Sequence, residues 1–369
     1  MRVLGFGTYD ITSHPRVGVL IEGLRKAGNT VVELNRPLGI ATANRVAALS
    51  SPSELIRFIG TMIQRWISLS LGSLKFSGPR QPDALLVGYM GHFDVLLARL
   101  LFPTTPIVLD HLIFASDTAK DRGASGMILN TVLRALDLAA LRAAELIIVD
   151  TPAHLDMVPD DLRGKAIVVP VGAPQDWFDA RQKAQLVDNT GPETAPLSVV
   201  FYGLFTPLQG APAIAKGLRD AARERDFKIT MIGTGQDYQE CREILSDTDV
   251  TWIDWVDCKD LPHLISKHDV CVGILGTTPK AQRVIPNKVY QSMAAGCCVI
   301  TSDTQSQKQM LHDTVMWCPA GDGDELAKIL VKLSDDRELL VTMKRLAYEL
   351  ADRAFTPYHV SAPLTEALK

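Results

Sequence analysis

The chain has 369 residues, 47% apolar and 22% charged, with a formal net charge of −4. That length excludes one small domain, and the composition excludes a disordered chain. The mild acidity removes the electrostatic case for a dedicated nucleic-acid binder. Charge is uneven, however: residues 1–175 hold 17 Lys and Arg against 15 Asp and Glu, and the remainder 21 against 27. The first half is therefore the one suited to an anionic surface.

No stretch approaches the roughly 20 apolar residues that span a bilayer. Met1–Asp10 reads as a strand and loop rather than a signal peptide, so a cytoplasmic protein is expected. All six cysteines fall in the second half without metal-ligand spacing and read as reduced core or near-core thiols.

Strand-length apolar runs alternate with helix-period segments, which predicts βα repetition and parallel sheets covered on both faces. In the first half the strands are Val3–Gly7, Val31–Leu34, Ala84–Gly88, Ile107–Leu109, Leu146–Val149 and Ile167–Val169, with helices over Val17–Lys26 and Met127–Ala144. In the second half they are Ser198–Gly203, Lys228–Gly233, Thr251–Asp254, Val270–Ile274 and Cys298–Ser302, followed by helices at Asp324–Leu333 and Arg337–Arg353. Two doubly wound, Rossmann-like α/β domains result, 1–178 and 197–352, joined by the polar stretch 179–196. Doubly wound sheets take ligands beyond the carboxyl ends of their strands, so a cleft between the domains is the expected site.

Gly5-Phe6-Gly7 opens like a dinucleotide fingerprint, but Asp10 occupies the place of the third glycine, which close helix–strand packing requires. Nicotinamide and flavin are thereby disfavoured, and Thr8 and Tyr9 become candidates for a ligand-facing loop. Arg16, at a helix start, suits either a phosphate or the bare surface. Gly233 and Gly235 end a strand where free backbone N–H groups favour anions. The most informative segment is 280–303, which sets Lys280, Arg283 and Lys288 around Pro286, ahead of a short helix ending in small residues. Three cations beside a helix N-terminus suit a diphosphate; the competing reading is a solvated basic loop. Pro52–Phe76 aligns Leu55, Ile59, Met62, Ile63, Trp66 and Ile67 along one helical stripe, either packed on its own sheet or resting at the inner face of a membrane.

Six segments then occur in the order found in glycosyltransferase family 4, which the chain resembles over nearly its whole length. They are the glycine loop after the first strand, Val169–Gly172, Phe201–Gly203, Ile232–Gly235, Pro286–Gly296 and Val299–Asp303. The resemblance implies the GT-B fold and retaining transfer of a sugar from a nucleoside-diphosphate sugar, as in polysaccharide biosynthesis, with no cofactor and no metal. It implies an acceptor domain first and a donor domain second, with residues 353–369 crossing back. The acceptor is left open among a glycan, a lipid-linked molecule and a small molecule.

By position, the resemblance makes His92 the histidine that contacts the transferred sugar. Gly203, Gly233, Gly235, Arg283, Asn287 and Gln291 fall at the donor, with Lys280 and Lys288 on its diphosphate. Asp110, His111 and Asp117 follow the next strand of the first domain, as candidates for the acceptor pocket beside Thr8, Tyr9 and Arg16. The chain departs from the pattern at Leu204 or Phe205 and at Gln209, where members carry cations, and at Gln291, where they carry a glutamate. Those departures keep two alternatives open: a nucleotide-sugar epimerase of the same fold, and a degenerate sugar-nucleotide-binding subunit.

Overall fold

The computed structural model describes residues 1–39, 52–121, 126–187 and 195–369. Two compact units emerge. One comprises Met1–Pro170 with Val360–Lys369, and the other Val171–His359.

The first unit is built on six parallel strands: β1 (Arg2–Gly7), β2 (Thr30–Asn35), β3 (Ala84–Val87), β4 (Ile107–Asp110), β5 (Leu146–Val149) and β6 (Ala166–Val168). Their order is β2-β1-β3-β4-β5-β6, with Val3 paired to both Val31 and Ala84. The central strands β3 and β4 are buried along their whole length, which is why they read as continuous apolar runs rather than alternating ones. The two-residue period sorts their side chains into two cores. Leu4, Leu85, Leu109 and Val149 pack beneath Leu69, Val95 and Leu141 on one face. Val3, Leu86, Val108 and Ile148 face Val17 and Leu20 on the other, joined by Val360 and Leu364 from the end of the chain.

The second unit has strands β7 (Leu197–Tyr202), β8 (Phe227–Ile232), β9 (Val250–Ile253), β10 (Val270–Val272), β11 (Cys298–Ser302) and β12 (Met316–Cys318), all parallel, in the order β12-β11-β10-β7-β8-β9. β12 was not foreseen, because three residues give too short an apolar run to stand out. Of the stretch expected to be a linker, 179–196, residues 195–196 are loop. Residues 179–187 continue a helix, Gln175–Val187, within the second unit, anchored by buried Trp177 and Phe178. Residues 188–194 lie outside the described residues. All six cysteines are free, five buried and Cys258 exposed.

The chain order reverses between β1 and β3 in the first sheet and between β7 and β10 in the second. At such switch points the loops leaving adjacent strands diverge and open a crevice at the sheet's carboxyl edge. The fold thus nominates the loops after β1 and β3, and those after β7 and β10.

Candidate functional site

In the second unit, the loop after β7 is held by backbone packing. Gly203 N–H donates to Ile232, and Phe205 N–H to Thr234. Gly233 has φ +118°, and a Cβ there would come within 2.0 Å of the Gly203 carbonyl oxygen; one on Gly235 would meet the Phe205 oxygen at 2.3 Å. These two glycines therefore let loops pack against each other, a role that accounts for them without any ligand. Phe205 is buried in the core beneath Tyr238 and Trp252, whereas Leu204 is exposed. Gln209 keeps a buried side-chain oxygen without a hydrogen-bond partner among the described residues.

Lys288 occupies the short helix Asn287–Ala294, which precedes β11. It is only 5% exposed, and among the described residues its Nζ has no hydrogen-bond partner. The ammonium lies over the Phe201 ring, and a Cβ on Gly203 would lie 3.4 Å from it. Burial lowers its pKa from the usual lysine value to about 7, against a small opposing pull from Cys271. The other two cations are set differently: Lys280 and Arg283 are half-buried on the turn before that helix. Asn287, at the helix start, is also half-buried. Gln291 is buried and its Oε1 accepts from the Tyr202 hydroxyl, which also donates to the Lys288 carbonyl. Gly203, Lys288 and Gln291 thus converge beside the switch point of the second sheet.

In the first unit the carboxyl edge is crowded with buried polar groups. His92, in the turn after β3, shares a hydrogen bond of 3.0 Å between its Nε2 and Asp137 Oδ1. The same carboxylate accepts from the N–H groups of Ala115 and Ser116 and from the Ser116 hydroxyl, closing the start of helix Ala115–Asp121. Burial opposes its charge, but His92 and the Ala115 N–H outweigh it and keep the Asp137 carboxyl below the usual range. His111, just after β4, meets the rings of His92 and Phe114 edge-on. Its Nε2 is buried without a hydrogen-bond partner among the described residues, and burial, with repulsion from His92, holds its pKa down at about 3. Met90, in the same turn as His92, adopts φ +63°, a left-handed conformation costly for a residue with a side chain.

Several expected ligand-facing residues are fixtures of the first unit instead. Arg16 is buried, pairs with Asp110 at 2.7 Å, and donates its remaining nitrogens to the carbonyls of Val169 and Pro170. All three guanidinium nitrogens are engaged, so it holds sheet to loop rather than a phosphate. Burial raises the Asp110 pKa despite that partner. Thr8 donates from both N–H and hydroxyl to Asp94, which also accepts from Trp66, and the Tyr9 hydroxyl is turned onto Glu33. Asp117 is half-buried on helix Ala115–Asp121.

Trp66 likewise corrects the stripe read in 52–76. The helix runs Pro52–Ser73, with Trp66 and Leu69 on the sheet side and Ile59, Ile63 and Ile67 exposed. Asp137 was missed, though it carried a signal: a lone acid on the buried stripe that also contains Ala140 and Leu141. Among the described residues, His92, His111 and Asp137 are also the group whose ligating atoms come within 4.8 Å of one another. Four donors already engage that carboxylate, and the arrangement is a hydrogen-bonded His–Asp pair.

Residues 196–336 match the family described as glycosyl transferases group 1. No curated protein matches the sequence. Among solved structures, HepE of Anabaena in complex with UDP superposes with a TM-score of 0.66 at 12% identity, covering 100% of this chain and 98% of that one. Sucrose-phosphate synthase of Thermosynechococcus elongatus gives 0.68 at 17% identity, covering 99% and 97%. An E. coli structure bound to UDP-2-fluoro glucose gives 0.66 at 13%, covering 100% and 99%. The fold of this chain is the two-domain α/β fold of GT-B proteins.

Proposed function

We propose that this chain transfers a sugar from a nucleoside-diphosphate sugar to an acceptor, with retention of configuration. The observation that carries the reading is the buried Lys288 ammonium, which has no hydrogen-bond partner among the described residues and faces Gly203 beside a topological switch point. Burying an unpaired charge costs several kcal/mol, a cost that a bound diphosphate offsets. The same charge then stabilises the diphosphate as it leaves, where electrostatic assistance is most effective.

In this reading Lys280 and Arg283 add positive charge from the preceding turn, and Asn287 lies at the first turn of the Lys288 helix. Gln291 meets the donor ribose, with an amide where a carboxylate would accept from both hydroxyls. The first unit takes the acceptor, a glycan, a lipid-linked molecule or a small molecule, at the edge that carries His92 and His111. No metal or cofactor enters the scheme. The complexes of HepE with UDP and UDP-glucose make UDP-sugars the first donors to try.

The test is thermal unfolding with UDP, GDP, ADP and dTDP. A diphosphate at 100 times its dissociation constant adds roughly 2.7 kcal/mol to the native state. A shift with one diphosphate that disappears in Lys288→Ala supports the reading, and no shift with any of them overturns it. Exposed Leu204 and the neutral Gln291 favour a second reading, a subunit that binds the donor without turning it over. Release of nucleoside diphosphate that depends on an acceptor separates the two.

A further inference from the structure

Three neighbouring helices of the first unit keep apolar outer faces. Helix Pro52–Ser73 exposes Ile56, Ile59, Ile63, Ile67 and Leu71, and the turn that follows exposes Leu74. Steps of three and four residues place these on one stripe, with half-buried Trp66 at its edge and Leu69 buried on the sheet side. Helix Asp94–Leu101 packs beside it and adds Leu96 and Leu100. Helix Met127–Ala143 packs beside that one and adds Met127, Ile128 and Val132. The exposure is large: 76% for Leu100, 88% for Met127 and 83% for Ile128. Scattered exposed aliphatics are ordinary, but an apolar surface running over three adjacent helices marks an interaction site.

The charges around this surface choose the partner. Helix Pro52–Ser73 has one acid, Glu54, in its first turn, and from Leu55 to Pro82 the chain carries Arg57, Arg65, Lys75 and Arg80 and no further Asp or Glu. The acids within the other two helices, Asp94 and Asp137, are both buried and take hydrogen bonds from inside the unit. Arg134 is exposed two residues from Val132. A second copy of this face would bring cation against cation, which disfavours self-association. An anionic phospholipid surface offers both an apolar layer and negative charge.

We infer that this three-helix face docks the protein onto an anionic lipid bilayer, with the aliphatic stripe in the headgroup and acyl boundary. Among the described residues no helix is long and apolar enough to cross a membrane, so the contact is peripheral. The inference stands on the first unit's surface and is independent of the donor reading.

The experiment is co-sedimentation of the full chain with vesicles of phosphatidylglycerol in phosphatidylcholine and with vesicles of phosphatidylcholine alone. Binding is expected to favour the anionic vesicles and to weaken with added salt. An Ile63→Ser, Ile67→Ser double variant should bind roughly tenfold or more weakly, and Lys75→Ala about fivefold more weakly. Both variants alter exposed side chains, so their unfolding temperature and their response to UDP should match the wild type, which keeps a folding defect and a failed donor site apart from loss of membrane binding. Equal binding to both vesicle types, no binding to either, or a stable dimer that the serine variant dissociates would each overturn the inference.

Discussion

The Lys288 ammonium lies 3.8 Å from the centroid of the Phe201 ring. The ring face offers a buried cation partial compensation, but it supplies no hydrogen-bond acceptor, and desolvation still brings the Lys288 pKa to about 7. The side chain is thus poised between charged and neutral at physiological pH.

A bound diphosphate must raise that pKa, and so binding takes up a proton above pH 7. Affinity should be highest below pH 7 and fall as pH rises, by at most about tenfold per pH unit. Lys288→Ala removes a charge-assisted contact and should weaken binding by roughly 10- to 100-fold. It should also abolish the proton uptake, read by calorimetry in buffers of different ionisation enthalpy. Unchanged affinity in the variant would remove the phosphate assignment.

His111 makes a separate statement about acid stability. Its folded pKa of about 3 lies below the ordinary 6.5, so between those values the unfolded chain holds a proton that the native chain does not. Stability is therefore lost as pH falls from about 6.5 toward 3, at up to about 1.4 kcal/mol per pH unit. The groups that set this are His92, Asp137 and His154, with burial foremost. His111→Phe should keep the aromatic contact with Phe114 and flatten the acid limb of a stability–pH curve. An identical slope would show that other groups dominate it.

The sequence made the fold legible because parallel strands covered on both faces are continuous apolar runs, and β3 and β4 could hardly be read otherwise. What it hid was direction. Nothing in the order of residues shows that Arg16 turns inward to Asp110 or that Tyr9 turns onto Glu33, since long polar side chains at strand ends have both choices. Lys288 was legible as one of three cations, but its seclusion comes from Phe201, 87 positions earlier in the chain. Asp137 was legible only as an anomaly on an apolar helix face. The expected linker failed at residues 179–187 because polar composition also suits a helix anchored by Trp177 and Phe178 just before it.

Two glycines with positive φ separate backbone strain from loop packing. Gly28 has φ +86° and nothing within 4 Å of where a Cβ would sit, whereas Gly233 combines φ +118° with the Gly203 oxygen. Gly28→Ala should cost about 1 kcal/mol from conformation alone. Gly233→Ala should cost roughly 3 kcal/mol or more, because the loop after β7 must also move. Denaturant unfolding of the pair measures both, and equal losses would show that the loop contact contributes nothing.

The His92–Asp137 pair allows a test of positioning. A carboxylate can only accept, so the 3.0 Å contact fixes the proton on His92 Nε2 and leaves Nδ1 as the acceptor in the neutral ring. Asp137→Asn offers an amide in place of one carboxylate oxygen, and so either the His92 bond or the contacts to Ala115 and Ser116 must weaken. If His92 serves the transferred sugar or its acceptor, kcat should fall roughly tenfold or more, with donor affinity unchanged because Lys288 and Gly203 belong to the other unit. A merely structural Asp137 would lower the unfolding temperature and leave kcat where it was.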